Sequence, residues 1–82
     1  MVNKKNMAIY AAANAAGVSE QEMRDTIITT QDGFFEISFS TEWMIYDIFV
    51  DEVTMHVLGI DYRPVPVNDL LAQLPESRQN AS

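Results

Sequence analysis

Glu42–Leu58, EWMIYDIFVDEVTMHVL, is the stretch whose reading decides the fold. Read as strands, Trp43 to Val50 is a nearly continuous apolar run broken by Asp47. A tight turn at Asp51-Glu52 follows, and then Val53, Met55 and Val57 alternate with Thr54 and His56. Read as a helix, Ser40 or Thr41 caps the start, Gly59 marks the end, and Asp47, Asp51 and Thr54 share a polar face. Ile45, Ile48, Val50, Val53, Thr54 and Val57 favour the extended form, because branching at Cβ stiffens χ1 against the preceding turn. Strands are therefore expected. The helical alternative would make the chain mostly α, with residues 42–58 helical.

Downstream, Ile60-Asp61-Tyr62 can extend the last strand, which ends before Arg63. Pro64 and Pro66 then impose an extended linker, since each disfavours helix in the residue before it. Asn68 caps a short final helix, Asp69 to Leu74, which Pro75 stops. Upstream, Phe35, Ile37 and Phe39 alternate with Glu36, Ser38 and Ser40, a period of two that indicates a strand with one wet face. Gln31-Asp32-Gly33 before it is a turn by composition.

The N-terminal half reads as a helical hairpin. Met7 to Ala16 is alanine-rich, with Asn6 placed to cap it and Gly17 placed to end it in a left-handed conformation. Ser19 and Glu22 have capping-box spacing and open a second helix that ends near Ile28, weakened by the β-branched run Thr26–Thr30. The expected class is α+β: a helical hairpin, an antiparallel meander of about three strands, and a short C-terminal helix. Eighty-two residues make one small domain, with 1–5 and 76–82 flexible.

The formal charge is −7, from twelve acids against five bases. Between Asp25 and Asp61 there are eight carboxylates and neither Lys nor Arg, yet the same stretch holds Trp43 and every Phe. Such a balance opposes direct binding to nucleic acid or an anionic membrane, which need a cationic footprint. No run approaches the roughly 20 apolar residues of a membrane span. Lys4 and Lys5 before Met7–Ala13 have a faint secretory shape, but alanines at this spacing read more simply as helix, so the chain is expected to be cytoplasmic. The absence of cysteine excludes disulfides and thiolate chemistry. A fold this small has a small core, so size alone leaves a homodimer open.

Three constellations bear on chemistry. Asp47, Asp51, Glu52 and Asp61 are oxygen donors that could begin a hard-cation site, but no calcium-loop spacing is present and His56 is the only imidazole. Neither a metal, a cofactor nor a catalytic residue is assigned. Second, Ala13, Gly17, Val18-Ser19, Met23 and Ile27 resemble the bacterial helix-turn-helix pattern, which implies a small transcriptional regulator using residues 6–29. The would-be recognition helix carries Glu20, Glu22 and Asp25 against Arg24 alone, and those acids would face phosphates.

The third is the acidic, aromatic region itself. Carboxylates two apart on a strand are ~6.5–7 Å apart, close to the ~7 Å phosphate spacing of a nucleic-acid strand. In composition this resembles the DNA-mimic inhibitors that phages and mobile elements deploy against host nucleases. The expected function is a non-enzymatic, acidic protein–protein interaction module. Its partner would be a basic protein surface, such as that of a nucleic-acid-processing enzyme. The contact residues are taken as Glu36, Glu42, Trp43, Tyr46, Asp47, Asp51, Glu52, Asp61 and Tyr62.

Overall fold

Alanine drives the first element. In the computed structural model, which describes residues 3–66, Lys4–Ala16 forms helix α1. Its cap is Asn3 and not Asn6: the Asn3 side-chain oxygen accepts the N–H of Lys5 at 2.9 Å and of Asn6 at 3.3 Å. The helix therefore starts earlier than expected and includes Lys4 and Lys5, two of the residues expected to be flexible. Gly17 ends it with φ 73°, and the Val18 N–H returns to the Ala13 carbonyl at 3.0 Å.

The expected helical hairpin is not formed. Ser19 and Glu22 do make their local contact, the Ser19 N–H donating to the Glu22 carboxylate at 2.9 Å, but only a single 3-10 turn follows, Glu20–Glu22. Arg24–Thr30 is then strand β1. The β-branched residues Thr26 to Thr30 prevail over the capping signal, because they suit a pleated surface and lose χ1 freedom in a helix. The helix-turn-helix alternative thus has no recognition helix in residues 19–28.

The remainder is a meander: β2 Phe34–Ser40, β3 Met44–Asp51 and β4 Val57–Pro64. The helical alternative for 42–58 is overturned, and the sheet has four antiparallel strands in the order β1-β2-β3-β4 where about three were expected. The turn after β3 is longer than Asp51-Glu52, so Val53 and Met55 lie outside the last strand. The short helix expected at Asp69–Leu74 and the flexible tail 76–82 lie outside the described residues.

Register fixes the faces. Phe35, Ile37 and Phe39 of β2 stand opposite Val50, Ile48 and Tyr46 of β3, and Ile48 and Tyr46 stand opposite Ile60 and Tyr62 of β4. This side packs under α1. Ala8, Ala12, Phe35, Ile37, Phe39, Ile48 and Val50 form one buried cluster, with Val18, Met23, Ile28 and Met55 at its margin. Ile37, Ile48 and Val50 are fully buried, each contributing about 1.5–3 kcal/mol by leaving water. The alanines bring the helix close to the sheet. The opposite side of the sheet carries no helix among the described residues.

Two substitutions test this arrangement in denaturant unfolding. Ala12→Leu should push α1 off the sheet and cost about 1–3 kcal/mol, whereas Asn14→Ala on the exposed side of the same helix should change stability by less than about 0.5 kcal/mol.

Candidate partner-binding face

Alternation along β2, β3 and β4 places Glu36, Asp47 and Asp61 together on the open side of the sheet. Three cross-strand rows describe its middle. Arg24, Ser40, Ile45 and Arg63 form one; Ile27, Ser38, Asp47 and Asp61 the next; Thr29, Glu36, Phe49 and Gly59 the third. Successive rows are ~7 Å apart along the strands and neighbouring strands ~4.8 Å apart. Asp47 and Asp61 are thus directly opposite one another, a like-charge pair that is unfavourable by itself.

Asp47 is the best-supported of these groups. The Ser38 hydroxyl donates to one of its oxygens at 2.6 Å, and the Arg63 guanidinium donates to the other at 3.2 Å. The Ser38 bond is the main reason the Asp47 carboxyl lies below the ordinary aspartate range; partial burial opposes it, and Arg63 reinforces it. Arg63 is 60% exposed, so its ion pair contributes at most about 1 kcal/mol.

Beside the acids lies an apolar depression of about 240 Å³ formed by Phe34, Phe49, Leu58 and Gly59. Phe34 and Phe49 meet edge-on with ring centroids 5.9 Å apart. Leu58 is the extra residue where β4 slips register against β3, and it is 59% exposed. The open face therefore combines carboxylates with an adjoining aromatic hollow.

The other expected contact residues are dispersed. Tyr46 and Tyr62 lie on the α1 side, because each is one residue from an aspartate that faces the other way. There Tyr46 stacks on Phe39 at 5.0 Å, and Tyr62, 65% exposed, lies 6.4 Å from Tyr46. Glu42 and Trp43 are exposed in the turn between β2 and β3, at one end of the sheet. Asp51 and Glu52 begin the turn at the other end. The Asp51 carboxylate accepts the N–H groups of Val53 and Thr54, both at 2.8 Å, and the bonds from Thr54 and Val53 hold its pKa below the ordinary value. The Glu52 N–H reaches the Gly33 carbonyl at 3.2 Å and so ties this turn to the one between β1 and β2. Asp51 and Glu52 therefore shape a loop.

Sequence reasoning missed Phe34, Ser38, Leu58 and Arg63. Phe34 was legible, since it has the same parity as Glu36. Leu58 was not, because its orientation depends on the register slip. Among the described residues, no three His, Cys, Asp or Glu side chains come together as a metal site, and no helix is long and apolar enough to cross a membrane. Another depression, about 350 Å³, lies beside α1 between Met7, Tyr10 and Met55 and has no carboxylate in its lining.

No protein-family model matches this chain, no curated protein matches it in sequence, and no solved structure matches it.

Because the Ser38 bond lowers the Asp47 pKa, its stabilisation is present above the ordinary aspartate value near ~3.9 and disappears as pH falls through the still lower folded value. Ser38→Ala should raise the Asp47 pKa in a carboxyl NMR titration and lower stability at pH ~7 by roughly 0.5–1 kcal/mol. The difference from wild type should shrink once the pH is well below ~3.9.

Proposed function

We propose that this protein is a non-enzymatic binding module whose open sheet face engages a basic surface on another protein. The observation that carries the reading is the convergence of Glu36, Asp47 and Asp61 from three strands onto one face that no described helix covers, next to the hollow between Phe34, Phe49 and Leu58. Carboxylates steer a cationic partner and fix its register, while the aromatic hollow supplies apolar area to be buried. Surface acids that only kept the sheet soluble would not need this neighbour.

The sharper form is an inhibitor of the kind phages and mobile elements use, filling the nucleic-acid-binding groove of a host enzyme. Acids in rows ~7 Å apart on neighbouring strands offer a groove built for phosphates a comparable array of negative charge. On this reading Glu36, Asp47 and Asp61 are the charged contacts, and Glu42 and Trp43 contact the partner from the end of the sheet.

The test begins with a partner captured from the source organism and purified. Its affinity is then measured against salt with the wild-type chain and with the triple variant Glu36→Gln/Asp47→Asn/Phe49→Ala. Affinity should fall steeply between low and physiological salt, and the variant should bind at least about tenfold more weakly. DNA or RNA should compete with the chain for the partner. Salt-insensitive binding, full affinity in the variant, or a ternary complex with nucleic acid would overturn the proposal.

A further inference from the structure

The two edges of the sheet are unlike. β1 begins with an irregularity between Arg24 and Ile27, where Asp25 has a φ of 53°. Such a bulge interrupts the regular array of backbone groups and guards an edge against pairing. In β4 the register slip comes at its start, and residues 59–64 run regularly beside β3. Among the described residues nothing pairs with the outer side of β4.

Hydrogen-bond parity says what that side offers. The Val65 N–H donates to the Trp43 carbonyl at 2.9 Å, so odd-numbered residues of this part of β4 turn their backbone groups towards β3. Ile60 and Tyr62 therefore direct N–H and C=O outward, and Pro64 directs its C=O outward. No lysine lies on this edge, Pro64 blocks it only at its far end, and its side chains are large and exposed: Leu58, Ile60 at 39% and Tyr62.

We propose that β4 pairs antiparallel with β4 of a second copy of this chain, about a two-fold axis through Tyr62. Charge selects this register. With Tyr62 opposite Tyr62, Asp61 of each copy stands opposite Arg63 of the other, in the closely spaced kind of pair, so both ion pairs form at once. Moving the axis to Asp61 places two aspartates face to face. Moving it to Ile60 places Asp61 opposite Gly59 and Arg63 opposite Val57, so no ion pair forms between the copies and Arg63 keeps only its contact with Asp47 of its own chain. In the proposed register the Tyr62 N–H and C=O groups bond across the axis. The Ile60 N–H donates to the Pro64 carbonyl of the second copy, while Pro64 has no N–H to return and leaves the Ile60 carbonyl to water, so pairing rests on the central Tyr62 bonds. On the α1 side, the Tyr46–Tyr62 pair continues into the same pair of the second copy. The inference is independent of the basic partner, because pairing at this edge leaves the open faces uncovered.

Sedimentation equilibrium on the full chain, from micromolar to millimolar concentration, reads the outcome. Wild type should rise from one chain mass towards two. Asp61→Arg and Arg63→Asp, each placing like charges opposite, should weaken self-association at least about tenfold. An equimolar mixture of these two variants should form a heterodimer. The introduced arginine of one chain then faces the introduced aspartate of the other, and the remaining Arg63 faces the remaining Asp61. Tyr62→Pro removes an outward N–H without touching the bonds to β3, and should leave a folded monomer by circular dichroism. A wild-type monomer at every concentration overturns the proposal. So does undiminished dimerisation of the single charge reversals, or a mixture that stays monomeric.

Discussion

The structure depends on the approach of α1 to the sheet through alanine. Ala8 and Ala12 are fully buried against a patch whose bulk comes from Phe35, Ile37, Phe39, Ile48 and Val50. Small side chains on the helix let large ones on the sheet fill the space between them, as close packing requires. A larger helix face would demand smaller sheet residues, and a single helix would then bury too little area to hold a meander of four strands. With one helix for one sheet, the consequence is a layer pair whose second sheet face has no cover among the described residues.

That constraint explains which parts of the fold could be read from the chain. Phe34–Ser40 alternates cleanly because one side faces α1 and the other does not, and the burial of Phe35, Ile37 and Phe39 follows the pattern. Met44–Asp51 lacks clean alternation because its open side carries Ile45 and Phe49 as well as Asp47, so periodicity leaves helix and strand competing and β-branching has to decide. Residues 19–28 mislead for the opposite reason. The capping contact between Ser19 and Glu22 is genuine, but it serves one 3-10 turn before a strand and does not open a helix. Local signals of a helix start do not fix its length; the β-branched run that follows does.

The candidate site was legible only in part. Composition identified the region in which acids and aromatics accumulate, and parity along a strand could separate Asp47 from Tyr46 and Asp61 from Tyr62. It could not say which residues of different strands share a row. Register is a property of pairing, and here it includes a slip at Leu58 that no local pattern announces. Hence acids and tyrosines expected in one contact surface are divided by the sheet, and Ser38, an unremarkable residue in the chain, is the strongest hydrogen-bond partner that Asp47 has.

The pairing of Asp47 with Asp61 is the one place where the sheet works against itself. Like charges directly opposite one another are destabilising. Ser38 and Arg63 both compensate Asp47, whereas no described side chain donates a hydrogen bond to Asp61. A residue that broke a local rule for no gain would be readily replaced by Ser or Thr, which suit an exposed strand at least as well. On the two proposals made above, an external cation beside Asp61 would supply that gain. A basic partner laid over the open face would bring one, and Arg63 of a second copy paired along β4 would bring another. These two sources approach Asp61 from different directions, from above the sheet and from its edge, and so they do not exclude one another. Asp61 is thus the residue at which the two proposed contacts meet.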